Sequence, residues 1–198
     1  AAAAVAAVAG DAPGPVLAVV PSPADLGPWA EDLAGFGVRP AVFPAHDTWP
    51  PAADRGRISE QTSQRLRVLQ QLLADPPKLV LAPFAAVSQS VPPRADLASR
   101  GKRLAVGEQT DPDDLARWLV DNGYKRVEAV EYPGEFGRRG GILDLYPPDQ
   151  PDPLRLEFFG DELESIRTFS AATQRSLDGK NTVVILPVGG SGEAGPLQ

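Results

Sequence analysis

The chain has 198 residues, 42% of them hydrophobic, enough for one large domain or two small ones. Its net charge of -7 withholds the global positive field that a non-specific nucleic-acid binder uses to displace counterions, leaving room only for a small basic patch. With no cysteine and a single histidine, His46, it can build neither a disulfide framework nor a thiolate or polyhistidine metal site.

The absence of cysteine fits a reducing compartment without proving one; the expected location is cytoplasmic. No apolar run approaches the roughly 20 residues that span a bilayer. The alanine-rich start, residues 1–10, lacks a positive leading region and reads as a helix or a frayed end rather than a signal peptide. High Pro and Gly counts, 22 and 19, announce many turns.

Strand and helix alternate through the first part. Val16–Val20 is a β-branched apolar run between Pro15 and Pro21, the pattern of a buried strand. Ser22 can cap the next segment with Pro23 at its first helical position. Leu26, Trp29, Ala30 and Leu33 then recur at helical spacing, and Gly35 and Gly37 end the helix. Residues 40–44 (PAVFP) form a second short strand, and 45–56 a turn-rich loop. The clearest helix is 58–73, with Leu66, Leu69, Leu72 and Leu73 as its expected apolar stripe; Asp75-Pro76-Pro77 stops it. Residues 79–81 form a third strand, giving the pattern of a parallel α/β sheet.

The second part begins near Pro92. Residues 103–106 read as a strand, and Thr110 with Asp113 resembles a capping box. Leu115, Trp118 and Leu119 line one helical face that ends at Asn122-Gly123. Strands are expected at 127–130, at 136–146 with a bulge at Gly140-Gly141, at 154–159 and 163–169 as a hairpin around Gly160-Asp161, and at 183–187. A helix with a mostly antiparallel sheet is an α+β domain. The boundaries read as a first domain over 1–93, a second over 94–188 and a Gly/Ser/Pro-rich flexible tail over 189–198.

Catalytic signals are thin. No G-x-x-x-x-G-K-[ST] phosphate loop occurs, and Gly134, Gly140 and Gly141 lack dinucleotide-loop spacing. His46 sits in a proline-bounded loop with no nucleophile elbow, so it reads as a turn histidine bonded to Asp47 or a backbone group. Trp49 reads as a core or interdomain plug. Asp144, Glu157, Asp161, Glu162 and Glu164 could be paired carboxylates for acid–base work, but their spacing suits a solvated sheet face pairing across strands with Arg139, Arg155 and Arg167. No catalytic or metal-ligating residue is assigned.

Residues 154–159 carry the informative exception. Leu154, Leu156 and Phe158 point one way, and Arg155, Glu157 and Phe159 the other. The polar face thus ends in a large aromatic, and arginine and aromatic residues are the types enriched at binding hot spots. Arg138 and Arg139 lie on the preceding strand, which is expected to pair with this one and flank Phe159 with positive charge. Phe159 covering a core edge or the hairpin turn fits the pattern as well, since single surface apolar residues are common.

The segments PGEFGRRGGILDLYPP, LRLEFFGDELESIRTF and TQRSL closely resemble the amino-terminal module of bacterial transcription-repair coupling factors (Mfd), with the excision repair protein UvrB as a more distant relative. VFPAHDTWPP, RISEQTSQRLRVLQQLL with KLVLAP, and LARWLVDNGYKRVEAVEYPGEF extend the likeness over nearly all of residues 16–188. The resemblance implies a degenerate helicase-like parallel α/β domain followed by a small α+β domain that binds UvrA, the damage-recognition ATPase. It places the family's contact residues on Arg139, Arg155 and Phe159. It implies a non-catalytic module that recruits UvrA to stalled RNA polymerase, itself needing no cofactor; ATP and Mg2+ would serve translocase modules further along a full-length protein, where RNA polymerase and DNA also bind. The chain departs from UvrB in lacking a phosphate loop and a tyrosine-rich DNA-clamping hairpin, and is expected to be an amino-terminal fragment or a truncated stand-alone relative. The alternatives are a nucleotide-dependent DNA-remodelling enzyme, which the missing phosphate loop opposes, and a plain structural domain.

Overall fold

The computed structural model describes residues 1–46, 58–99 and 101–188. Asp47, Trp49, most of the loop after the second strand and the tail from 189 fall outside them. The chain divides into two compact units, Ala1–Ala52 with Glu60–Val91, and Ala53–Ser59 with Pro92–Gln198. It is a mixed α/β protein whose larger sheet is mostly antiparallel.

In the first unit, β1 (Val16–Val20), β2 (Ala41–Val42) and β3 (Leu79–Pro83) form a parallel sheet in the order β1-β3-β2. All of β3 is buried, as a central strand covered on both faces should be. The alanine-rich start is the helix α1 (Ala2–Asp11): Ala2, Ala6 and Ala9, spaced on one face, join Val20, Leu33, Leu79 and Leu81 in the core. Their small side chains let this helix approach closely. Helix α2 (Leu26–Gly35) follows a single 3-10 turn, Pro23–Asp25. That turn is closed by its own side chains: the Ser22 hydroxyl accepts from the Ala24 N–H at 3.2 Å, and Asp25 Oδ2 from the Ser22 N–H at 3.0 Å.

Helix α3 (Glu60–Ala74) buries a different face from the leucine stripe expected of it. Ser63, Arg65 and Val68 are buried, Leu66, Leu69 and Leu73 are half-buried, and Leu72 is exposed. The rotation is set by Arg65, whose guanidinium donates to the carbonyls of Pro44, Ala86 and Ser90 and lies 4.1 Å from the centroid of the Phe43 ring. Burial pushes its pKa down to about 10. Beyond β3 lies the short helix α4 (Phe84–Val87). His46 belongs to this unit's polar packing, its backbone exchanging two hydrogen bonds with the Gln89 amide and its ring facing the Thr62 hydroxyl at 3.4 Å.

The second unit holds α5 (Arg94–Ser99), β4 (Lys102–Ala105), α6 (Pro112–Asp121), β5 (Lys125–Arg126), β6 (Glu135–Arg139), β7 (Ile142–Leu145), β8 (Leu154–Phe159), β9 (Glu162–Phe169), β10 (Ser176–Lys180) and β11 (Thr182–Ile185). Six strands form one sheet in the order β10-β9-β8-β7-β6-β5, antiparallel except for the β5–β6 pair, while β4 and β11 form a separate antiparallel pair. Helix α6 lays Leu115 and Leu119 on one face of the large sheet, against Phe136, Leu143, Leu145, Leu154, Leu156, Phe158, Leu163 and Ile166. Its cap is Asp111, not Thr110: Asp111 Oδ1 accepts from the N–H groups of Asp113 and Asp114, and Pro112 takes the first helical position. Tyr124 plugs the end of this core, its hydroxyl donating to the Leu186 carbonyl at 2.7 Å.

Two sequence expectations are corrected here. Gly140-Gly141 is not a bulge in one long strand but the two-residue turn of a β6–β7 hairpin closed by the Arg139–Ile142 pair. A bulge sits instead in β9, between the pairs Glu157–Ser165 and Phe158–Leu163, leaving Glu164 extra and turning both Leu163 and Ile166 inward. Residues 127–130 are a loop: the Val127 N–H donates to the Phe136 carbonyl of β6, and the carbonyls of Glu128 and Val130 serve side chains.

Candidate functional site

The sheet face away from α6 is open, and register decides what stands on it. Across β6, β7, β8 and β9 run two open-face rows: Arg139, Ile142, Glu157 and Ser165, then Gly137, Asp144, Arg155 and Arg167. Phe159 continues the same face two residues beyond Glu157. By strand geometry, Arg155 and Phe159 lie about 13 Å apart along β8, and Arg139 about 10 Å to the side of their midpoint, two strands away. Strand β6 does not pair with β8, since β7 lies between them, which corrects the expected flanking of Phe159. Arg138 belongs to the other face, where it pairs with Asp113 at the start of α6.

Each arginine is held. Gly137 has no side chain because the 127–130 loop lies over it; a Cβ would come 3.0 Å from the Val127 carbonyl oxygen. This close approach lets exposed Arg139 donate from Nη2 to the Glu128 carbonyl at 2.7 Å. Arg155 makes a bidentate pair with Asp144, Nε to Oδ1 and Nη2 to Oδ2, both at 2.8 Å. Its Nη1 donates to the Gln174 carbonyl at 3.4 Å, and its guanidinium carbon stands 4.8 Å from the centroid of the Phe169 ring. The hydrogen bonds that Arg155 donates to Asp144 raise the Arg155 pKa above its ordinary value, against the smaller opposing effect of burial; the charges of Asp144 and Glu157 add to the rise.

Gln174 has a positive φ of 57° and ties two loops together, its amide donating to the carbonyls of Val130 and Ala171. The result is a shallow concavity of about 280 Å³ with Arg139, Arg155, Ile142, Asp144 and Gln174 in its walls. Phe159 stands outside it, 76% exposed, and Ile142 between the two is 40% exposed. Charge-bearing donors around a concavity and an apolar ring in water suit recognition of a protein surface carrying acidic groups.

The carboxylates here are occupied otherwise. Asp144 is paired with Arg155, and Glu157 accepts from the Ser165 hydroxyl at 2.5 Å. Among the described residues no group of His, Cys, Asp or Glu is arranged to hold a metal ion. Nor does any helix among them have the length and apolarity to cross a membrane.

Residues 103–189 match the family model of the UvrB interaction domain. That stretch is therefore similar to UvrB interaction domains. The chain is homologous to transcription-repair-coupling factors: 40% identical over 128 residues to that of Bacillus subtilis, 43% over 111 residues to that of Myxococcus xanthus, and 33% over 175 residues to that of Mycobacterium bovis. These matches cover 65%, 56% and 83% of this chain but only 11%, 9% and 14% of those proteins.

All three residues singled out from sequence thus lie in the stretch that matches this family model and on one sheet face, the two arginines at one concavity and Phe159 beyond it. Sequence reasoning missed Ile142 and Gln174. Ile142 was within reach: reading Gly140-Gly141 as a hairpin turn restarts the alternation and sends Ile142 and Asp144 opposite Leu143 and Leu145. Nothing local marks Gln174, whose role comes from two loops distant in sequence.

Proposed function

We propose that the chain is a non-catalytic docking module that binds UvrA through Arg139, Arg155 and Phe159. The single observation behind this reading is the open sheet face on which two restrained arginines border a concavity beside a 76% exposed aromatic. The arginines pair with acidic groups of UvrA, and the phenyl ring is the apolar anchor at their side. Within a longer protein of the coupling-factor kind, the module brings the excision-repair machinery to stalled RNA polymerase in the cytoplasm, while polymerase, DNA, ATP and Mg2+ are handled by other domains. The first unit is then a degenerate helicase-like α/β domain. The parallel order β1-β3-β2 supports that, as does the turn after β1, where side chains of the chain itself occupy the backbone N–H groups that a phosphate would use.

The test is calorimetric titration of purified UvrA with the wild-type chain, Arg139→Glu and Arg155→Glu, with circular dichroism as folding control. Each reversal should weaken binding at least tenfold, as expected for a charge-assisted contact of about 1.5–3 kcal/mol. Wild-type affinity in both folded variants rules the reading out.

A further inference from the structure

The docking reading leaves open why a partner's acidic group should find Arg155 available when Asp144 already neutralises it. A guanidinium offers two bidentate edges: the side edge, Nε with one Nη, and the end edge formed by the two Nη groups. Asp144 occupies the side edge with two bonds of 2.8 Å. Among the described residues, the one hydrogen bond at the end edge is Nη1 to the Gln174 carbonyl at 3.4 Å, at the outer limit for such a bond. The Phe169 ring supports the guanidinium on its flat side. A side chain with this many restraints has given up its rotamer freedom before any partner arrives.

We propose that Asp144 is a positioning residue: by holding the side edge of Arg155, it fixes the end edge toward the concavity as a preset fork for one carboxylate of the partner. This inference rests on the docking reading above. It runs against the long-range charge effect, because removing Asp144 takes away a negative charge from a face that meets acidic groups, and charge alone would then favour tighter binding. Asp144 also faces the charges of Arg139, Glu157 and Arg167 on the same two rows, and those stay in place when it is replaced.

The experiment is a double-mutant cycle read by calorimetry against purified UvrA, at two salt concentrations, with thermal unfolding of each variant. Asp144→Ala should weaken binding about tenfold, Asp144→Asn, which keeps the volume and one acceptor, less, and Asp144→Glu should recover most of the affinity. In an Arg155→Ala background, Asp144→Ala should change affinity by less than about twofold, whereas a merely structural role would weaken binding further there. If Arg155→Ala weakens binding and Asp144→Ala leaves it equal or tighter, the positioning inference fails and the docking reading stands. Additive losses in the double variant overturn the inference as well. If Arg155→Ala binds like wild type, the docking reading fails and takes the inference with it.

Discussion

Truncation of Phe159 separates an interface residue from a core residue. The ring is 76% exposed. A phenylalanine can bury on the order of 200 Å², so about 150 Å² still lies in water. At about 25 cal/mol per Å², complete burial by a partner contributes at most about 4 kcal/mol. Ordering of the interface and incomplete coverage reduce this to about 2–3 kcal/mol, or roughly 30- to 150-fold in affinity. Stability should move by less than about 0.5 kcal/mol, because almost nothing within the chain is uncovered. The assay pairs calorimetry of Phe159→Ala against UvrA with thermal unfolding of the same preparation. Affinity within twofold of wild type refutes the anchor. A melting temperature several degrees lower refutes the premise, since it makes the ring part of the core.

Two further outcomes concern the scaffold beneath the site. A Cβ at Gly141 would lie 2.6 Å from the Phe158 carbonyl oxygen, which is backbone and cannot swing away, so Gly141→Ala should lose about 2–3 kcal/mol in urea denaturation. Gly140→Ala meets no neighbour but adopts φ +58°, and should lose about 1–2 kcal/mol. Burial, and secondarily the charge of Asp149, push the Tyr124 hydroxyl well above its ordinary 10.0. Above that pH the unfolded chain releases the phenolic proton first, so this contribution to stability is present below pH 10 and declines as pH rises beyond it. Tyr124→Phe should remove this dependence and cost about 1 kcal/mol at neutral pH by leaving the Leu186 carbonyl unpaired; chemical denaturation at pH 7 to 11 checks both.

What could be read from sequence was what is local. The alternation of Leu154, Leu156 and Phe158 with Arg155, Glu157 and Phe159 survives intact in β8, because the bulge that interrupts the pairing lies on β9. Strand order is not local. A glycine pair suits a bulge and a hairpin turn equally, and only the pairing of Ile142 with Glu157 shows that β7 separates Arg139 from β8. The β-branched Val127 and Val130 resembled a strand, yet the carbonyls of that segment are taken by the side chains of Arg139 and Gln174, which no window of ten residues contains. On α3 the count of leucines lost to one arginine, because three backbone carbonyls from other segments fixed the helix rotation.

The turn after β1 has a consequence of its own. The Ser22 hydroxyl holds the Ala24 N–H, Asp25 holds the Ser22 N–H, Pro23 removes an N–H outright, and the Asp25 carboxylate occupies the positive end of the turn. Turning this segment into a phosphate cradle would require losing the cap, the proline and the acid together. Any one change made alone would forfeit up to about 1 kcal/mol and still leave the others in the way. Every single step away from the self-capped state is therefore uphill, so the turn keeps its backbone donors for its own side chains.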